Sequence, residues 1–248
     1  MNILKFNVSG KTAHFKKPDV NSYAYYTYSH IHKISIYGIL GAILGLNGYA
    51  QQKEEQYPEF YERLKNIKIG IVPKGEKRGY FSKKIIEFNN SVGYANIDAK
   101  SNPCNLVVRE QWLEDVSWDI YVSLDDFKDE LLKDKLVDYI LHMKAEYIPY
   151  LGKNDHMANI CDGQILNYNE IKDVEEIHSL FYYDKTKLEY EAVDEDETPF
   201  LFKDYMPVEL NPINNKYEFR ELGFSNRAVE YMDNQTIIVD KNKNIVLI

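Results

Sequence analysis

Cysteine is nearly absent: the 248 residues contain only Cys104 and Cys161, and no CxxC or HExxH motif. That excludes the disulfide framework of a small secreted domain and makes a reducing cytoplasm the expected compartment. It also excludes the usual zinc sites, so no metal or cofactor is expected. Long hydrophobic runs are missing too. The longest apolar stretch, 34–46, is too short to span a bilayer and is interrupted by Gly38, Gly41 and Gly45. The opening MNILKFNVSG reads as a strand and not as a signal peptide. GILGAILG lacks GxGxxG, falls inside a helix and is not followed by GK[ST], which excludes both a dinucleotide fingerprint and a P-loop.

What is present is charge, unevenly spread. The net charge is −9, yet residues 1–90 hold 14 Lys+Arg against 7 Asp+Glu, leaving 16 against 32 for the remainder. One basic and one acidic half suit a polyanion on the first and a basic partner on the second. The basic half centres on residues 9–46. A strand containing Ile3, Phe6 and Val8 is expected to end at Gly10. KTAHFKKP follows, with His14 among Lys11, Lys16 and Lys17, and Pro18 forcing an extended or turning backbone. Ammonium groups this close repel one another unless an anion lies nearby, as in a phosphate-tracking loop. Tyr23, Tyr25, Tyr26 and Tyr28 come next; aromatic faces can stack unpaired bases, although with 21 tyrosines ordinary packing accounts for most of them. His30 and His32 alternate on an extended segment, and Ser35 is expected to cap a helix from Ile36 to Leu46, closed at Asn47-Gly48. The glycines at three- and four-residue spacing share a face and imply close approach of that helix to a sheet.

Further along, Phe60–Leu64 reads as a short helix and Ile67, Ile69 and Ile71 as a strand stopped by Pro73. The segment KGEKRGYFSKKIIEF, with Lys77, Arg78, Lys83 and Lys84, suggests a protruding hairpin, and 89–105 a polar loop. One strand is expected to end at Arg109 and another to hold Ile120 and Val122. Asp125 is expected to cap a helix that buries Phe127, Leu131, Leu132, Leu136, Ile140 and Met143 and breaks at Pro149. YLGKNDHMA is a turn presenting Lys153, Asn154 and His156. Strands are expected at 180–183, 200–202 and 217–222, with a final hairpin of 236–240 and 244–248, and 189–197 as an exposed acidic loop. The order β-α-β, hairpin, β-α-(β) is compatible with a ferredoxin-like sheet and an α+β class, with a boundary near Tyr150.

GKTAHFKKP, SIYGILGAILGL, the stretch from VVREQWL to WDIYVSL, YLGKNDHMA and YMPVELN…YEFRELGFSN occur in an order that resembles the fifth CRISPR-associated (RAMP superfamily) subunit of type I effector complexes, or Cascade, most like the subtype I-B form. The resemblance implies a ferredoxin-like (RRM-related) N-terminal domain over 1–150 with a hairpin thumb within about 73–106, and a small β-rich domain over 151–248. It implies a subunit that caps the complex, holds the 5′ repeat-derived handle of the CRISPR RNA, contacts the backbone and large subunits, and meets target DNA indirectly. The handle-facing residues it implies are Lys11, His14, Lys16, Lys17, His32, Lys33, Arg109, Lys153 and Asn154, with Lys77, Arg78, Lys83 and Lys84 on the gripping hairpin. One subtype processes precursor RNA without a metal; His14, Tyr28 and Lys33 have suitable side chains for that alternative, but the expectation is a binding subunit and not an enzyme.

Overall fold

The computed structural model describes all residues except 20, 21, 77, 92–96 and 98–104. The expected tip of the hairpin, Lys77 and Cys104 therefore lie outside the described residues.

The main sheet is built from β1 (Asn2–Ala13), β2 (Ile69–Pro73), β3 (Lys83–Asn89), β4 (Val107–Ser123) and β5 (Asn159–Asn167). All its pairings are antiparallel, in the order β2-β4-β1-β5, with β3 pairing the early part of β4. Helix α1 (Lys33–Leu44) follows β1, α2 (Glu59–Leu64) precedes β2, and α3 (Glu130–Leu141) joins β4 to β5. The alternation of β1 places Leu4, Phe6 and Val8 on the face covered by the helices, in one large core with Trp118 at its centre. The opposite face buries Ile3, Val72 and Tyr121 against Ile238, Ile245 and Leu247. This is an α+β fold.

The acidic half adds β6 (Glu170–Ile171), β7 (Phe181–Tyr182), β8 (Thr186–Ala192), β9 (Leu201–Leu210), β10 (Tyr217–Ser225), β11 (Arg227–Met232), β12 (Thr236–Asp240) and β13 (Lys243–Leu247). They form three small antiparallel sheets, β7-β10-β9, β11-β8 and β13-β12-β6. The last is joined to the main sheet at Ile69, which exchanges backbone hydrogen bonds with Ile248. The main sheet itself crosses Tyr150, because β5 supplies its edge.

Several boundaries differ from the sequence expectation, each for a local reason. β1 runs through Gly10 to Ala13; a Cβ at Gly10 would lie 2.6 Å from Leu151, so the glycine admits a neighbouring turn and does not end the strand. His32, not Ser35, caps α1: its Nδ1 accepts from the Ser35 N–H. Gly45, with φ of 80°, closes the helix before Asn47 is reached. Gly41 approaches helix α2 and not a sheet, since a Cβ there would stand 2.6 Å from that of Phe60. Arg109 lies inside a single 17-residue strand, which absorbs Asp115 at φ of 47°. Helix α3 is capped by Asp129, not Asp125, and ends at Leu141, well before Pro149. It leaves Leu131 exposed, with Met143 exposed just beyond it, while Phe127, Leu132, Leu136 and Ile140 are buried. Glu189 and Glu191 belong to strand β8 and not to a loop, although both remain exposed.

Asp129 accepts from the Leu132 N–H at 3.1 Å and pairs with Arg63 of α2. Asp129→Ala is expected to lower stability by about 1 kcal/mol, the usual value of an N-cap, read from the denaturation midpoint; an unchanged midpoint would show the cap to be dispensable.

Candidate nucleic-acid interface

The β3–β4 hairpin and the loop leaving β1 form one structural unit. After Ala13 the chain turns back on itself, with Lys16 bridging Thr27, and Tyr25 then pairs with the free edge of β4: Tyr25 N–H donates to Arg109 O and Gln111 N–H to Tyr25 O, at 2.9 and 2.8 Å. The early part of β4 therefore lies between β3 and the tyrosine loop. Because paired residues share a face, the register puts Lys83, Glu87 and Arg109 on one side of the hairpin and Lys84, Phe88 and Trp112 on the other.

The side bearing Trp112 holds a polar cluster. Lys153 Nζ lies 2.8 and 3.0 Å from the two carboxylate oxygens of Glu110, and the Trp112 indole N–H donates to the same carboxylate. Burial opposes ionisation of Glu110, but the bonds from Lys153 and Trp112 outweigh it and hold the pKa below its ordinary value. The His156 ring stands edge-on to Trp112, with centroids 4.7 Å apart, and its Nδ1 is 2.7 Å from Thr12 Oγ1. His14 donates from Nδ1 to Gln111 O at 2.9 Å. Burial depresses both imidazoles, His156 to about 4, so they are neutral near pH 7. Beside them, Lys16 Nζ sits 3.7 Å from the centroid of the partly exposed Tyr25 ring.

On the other side, Lys83 Nζ donates to Ser29 Oγ at 2.8 Å, Lys17 pairs with Asp204 at 2.9 Å, and Arg109 pairs with Glu87 while covering the Tyr23 ring at 5.3 Å. His30 is buried between Phe81 and Phe202 and receives the Trp118 indole N–H. Burial pushes His30 and His32 down to about 3.

The expected cationic residues thus separate into classes. His14, His32 and Lys33 are interior groups, at 1%, 3% and 9% exposure, and offer no surface to a polyanion. Burial lowers Lys33 to about 8. Lys11, Lys17, Arg109 and Lys153 each already face a carboxylate. Lys16, Arg78, Lys83 and Lys84 have no carboxylate within ion-pairing distance among the described residues. Asn154 is exposed on its turn. The lysines do not line a single trough; they flank both faces of the hairpin root. Of the residues named for cleavage, Tyr28 and Lys33 are interior, at 2% and 9% exposure. His14 points to the Trp112 side, whereas Phe15, the next residue, packs in the core beside His32 and Tyr28.

Glu110 and Trp112, which the sequence pattern does not single out, shape this surface, and His156, expected to be presented by its turn, is instead buried at 1% exposure against Trp112. The spacing of Glu110 and Trp112 is readable as one strand face and 150–158 as a turn, but the contact between the two is not.

No family model matches the chain, and no curated protein matches it. Among solved structures it is similar to a chain of a CRISPR RNA-guided surveillance complex, with a TM-score of 0.54 and 10% identity over 93% of this chain and 92% of that one. It is also similar to a CRISPR protein from Archaeoglobus fulgidus, with a TM-score of 0.51 and 11% identity over 100% and 99% of the two chains. At these identities the likeness is one of fold, and it extends over essentially the whole chain.

Proposed function

We propose that this chain is a CRISPR-associated subunit of a type I effector complex, of subtype I-B character, that binds the 5′ repeat-derived handle of the CRISPR RNA without cleaving it. The strand order β2-β4-β1-β5, with a helix after β1 and another after β4, supports reading the main sheet as a split βαβ or ferredoxin-like core, with β3 and the early part of β4 as its thumb. The observation that carries the reading is the placing of exposed Lys16, which has no carboxylate partner among the described residues, against the Tyr25 ring at the hairpin root. A single RNA strand needs this combination: ammonium groups for phosphate and aromatic faces for unpaired bases. The root would be held from both sides, by Lys16 and Lys84 on one and Lys83 on the other. The acidic half would face basic surfaces of the neighbouring subunits.

The test is reconstitution. The purified chain, mixed with repeat-derived RNA, is expected to bind the 5′ handle and leave it uncut with or without chelator. Handle RNA that is cut, or that binds no better than unrelated RNA of equal length, would overturn the assignment.

A further inference from the structure

Away from the hairpin, a groove runs along the outer side of α1. Its apolar part encloses about 570 Å³ between α1, Phe60 and the 147–152 segment, with Tyr49, Tyr147, Ile148 and Tyr150 on its walls. Those four side chains are 49%, 62%, 70% and 47% exposed, a concentration of large apolar groups that a surface without a partner seldom presents. Among the described residues, no charged one lines this part. Asn47, Gly48 and Gln51 then lead into a second compartment of about 380 Å³, lined by Glu55, Glu59 and Glu62 together with Arg63.

The floor of the apolar part is Gly38. Gly41 is required by the approach of Phe60, but a Cβ at Gly38 would meet nothing within 4 Å. Glycine inside a helix costs about 1 kcal/mol relative to alanine, and neither packing nor backbone conformation demands one here. Its effect is to keep the groove open. In the second compartment Arg63 is neutralised by Asp129, and Glu62 by Lys65. Glu55 and Glu59 accept only backbone N–H groups, from Lys53 and Asn47, and have no cation partner among the described residues. A polyanion would be repelled at this end; a cationic side chain would complete it.

We propose that this groove is a docking site for a protein segment that carries a large apolar side chain next to Lys or Arg. The apolar group lies over Gly38 among the tyrosines, and the cation faces Glu55 and Glu59. None of the lysines assigned to RNA lines it, although Gly152 on its wall adjoins Lys153.

The test is selection of phage-displayed dodecapeptides on the full chain, followed by anisotropy with an enriched synthetic peptide. Enriched sequences are expected to place Lys or Arg within a few positions of a large apolar residue. Gly38→Leu fills the groove while favouring the helix, so the thermal midpoint should hold or rise while peptide affinity falls at least about tenfold, as for loss of a buried anchor. Glu55→Gln with Glu59→Gln should weaken binding by about threefold or more and flatten its salt dependence. Should Gly38→Leu fail to fold, Tyr147→Ser on the exposed wall must show the same loss. Lys16→Glu with Lys84→Glu should leave peptide binding unchanged, which keeps this result independent of the RNA assignment. The proposal is overturned if enriched peptides lack basic residues, if Gly38→Leu binds them as the native chain does, if it weakens RNA in place of peptide, or if the groove proves to join two copies of this chain.

Discussion

Lys16→Glu combined with Lys84→Glu is expected to reduce affinity for handle RNA on the order of a hundredfold at physiological salt and to flatten the salt dependence by about two counterions. Both side chains are exposed and lack a carboxylate partner among the described residues, so the substitutions break no ion pair. They flank the Trp112 side of the hairpin, where the Glu110–Lys153 pair is already neutral overall. The control is Lys128→Glu with Lys172→Glu, an equal change of net charge at exposed positions outside the hairpin. If the affinity falls equally in both pairs, the effect is that of net charge, and the hairpin root is not the binding surface.

The second large effect is on stability in acid. His30 and His32 are fully interior and are held neutral by burial, with pKa values of about 3 against an ordinary value of 6.5. A lowered histidine pKa means that the unfolded chain binds the proton more tightly than the folded one. Stability is therefore complete above pH 6.5 and is lost progressively as pH falls from there towards 3. At pH 5 each contributes about 2 kcal/mol of destabilisation, so the two together remove about 4 kcal/mol, a large part of the margin of a typical domain. Denaturant midpoints measured between pH 7.5 and 5 check this. His32→Asn separates the proton effect from packing, because asparagine can still cap α1. It should weaken the protein at pH 7 by opening the nest of Phe15, Tyr28 and Tyr217 around the ring. It should also remove one proton's worth of pH slope. An unchanged slope would mean that His32 is not held neutral.

Much of the architecture was legible along the chain because it rests on local patterning. The alternating apolar residues near Phe6, at Ile69 and Ile71, and in the final hairpin all became strands. The two periodic apolar runs became α1 and α3. What sequence could not provide was pairing across long separations. Arg109 read as a strand end because the polar stretch from Glu110 to Ser117 looks like a loop; it remains strand because β1 and β3 both hydrogen-bond to it. His14 and His32 read as surface donors because nothing nearby in sequence reveals that Gln111 O accepts from His14, that Leu151 covers the loop, or that Tyr217 packs against the His32 ring. The lysines were visible, but not the carboxylates opposite them: Asp204 lies 187 positions from Lys17. The surface left after this cancellation is smaller than the composition suggests, and it wraps a hairpin in place of filling a groove.

The most direct measurement is an anisotropy titration of the native chain with the 5′ handle RNA over a range of salt concentrations, set against an unrelated single strand of the same length. Handle binding that is tighter than the control and weakens linearly in log–log form with a slope of several counterions is the predicted result. Equal, weak binding to both strands, with no slope that Lys16→Glu and Lys84→Glu reduce, would contradict it.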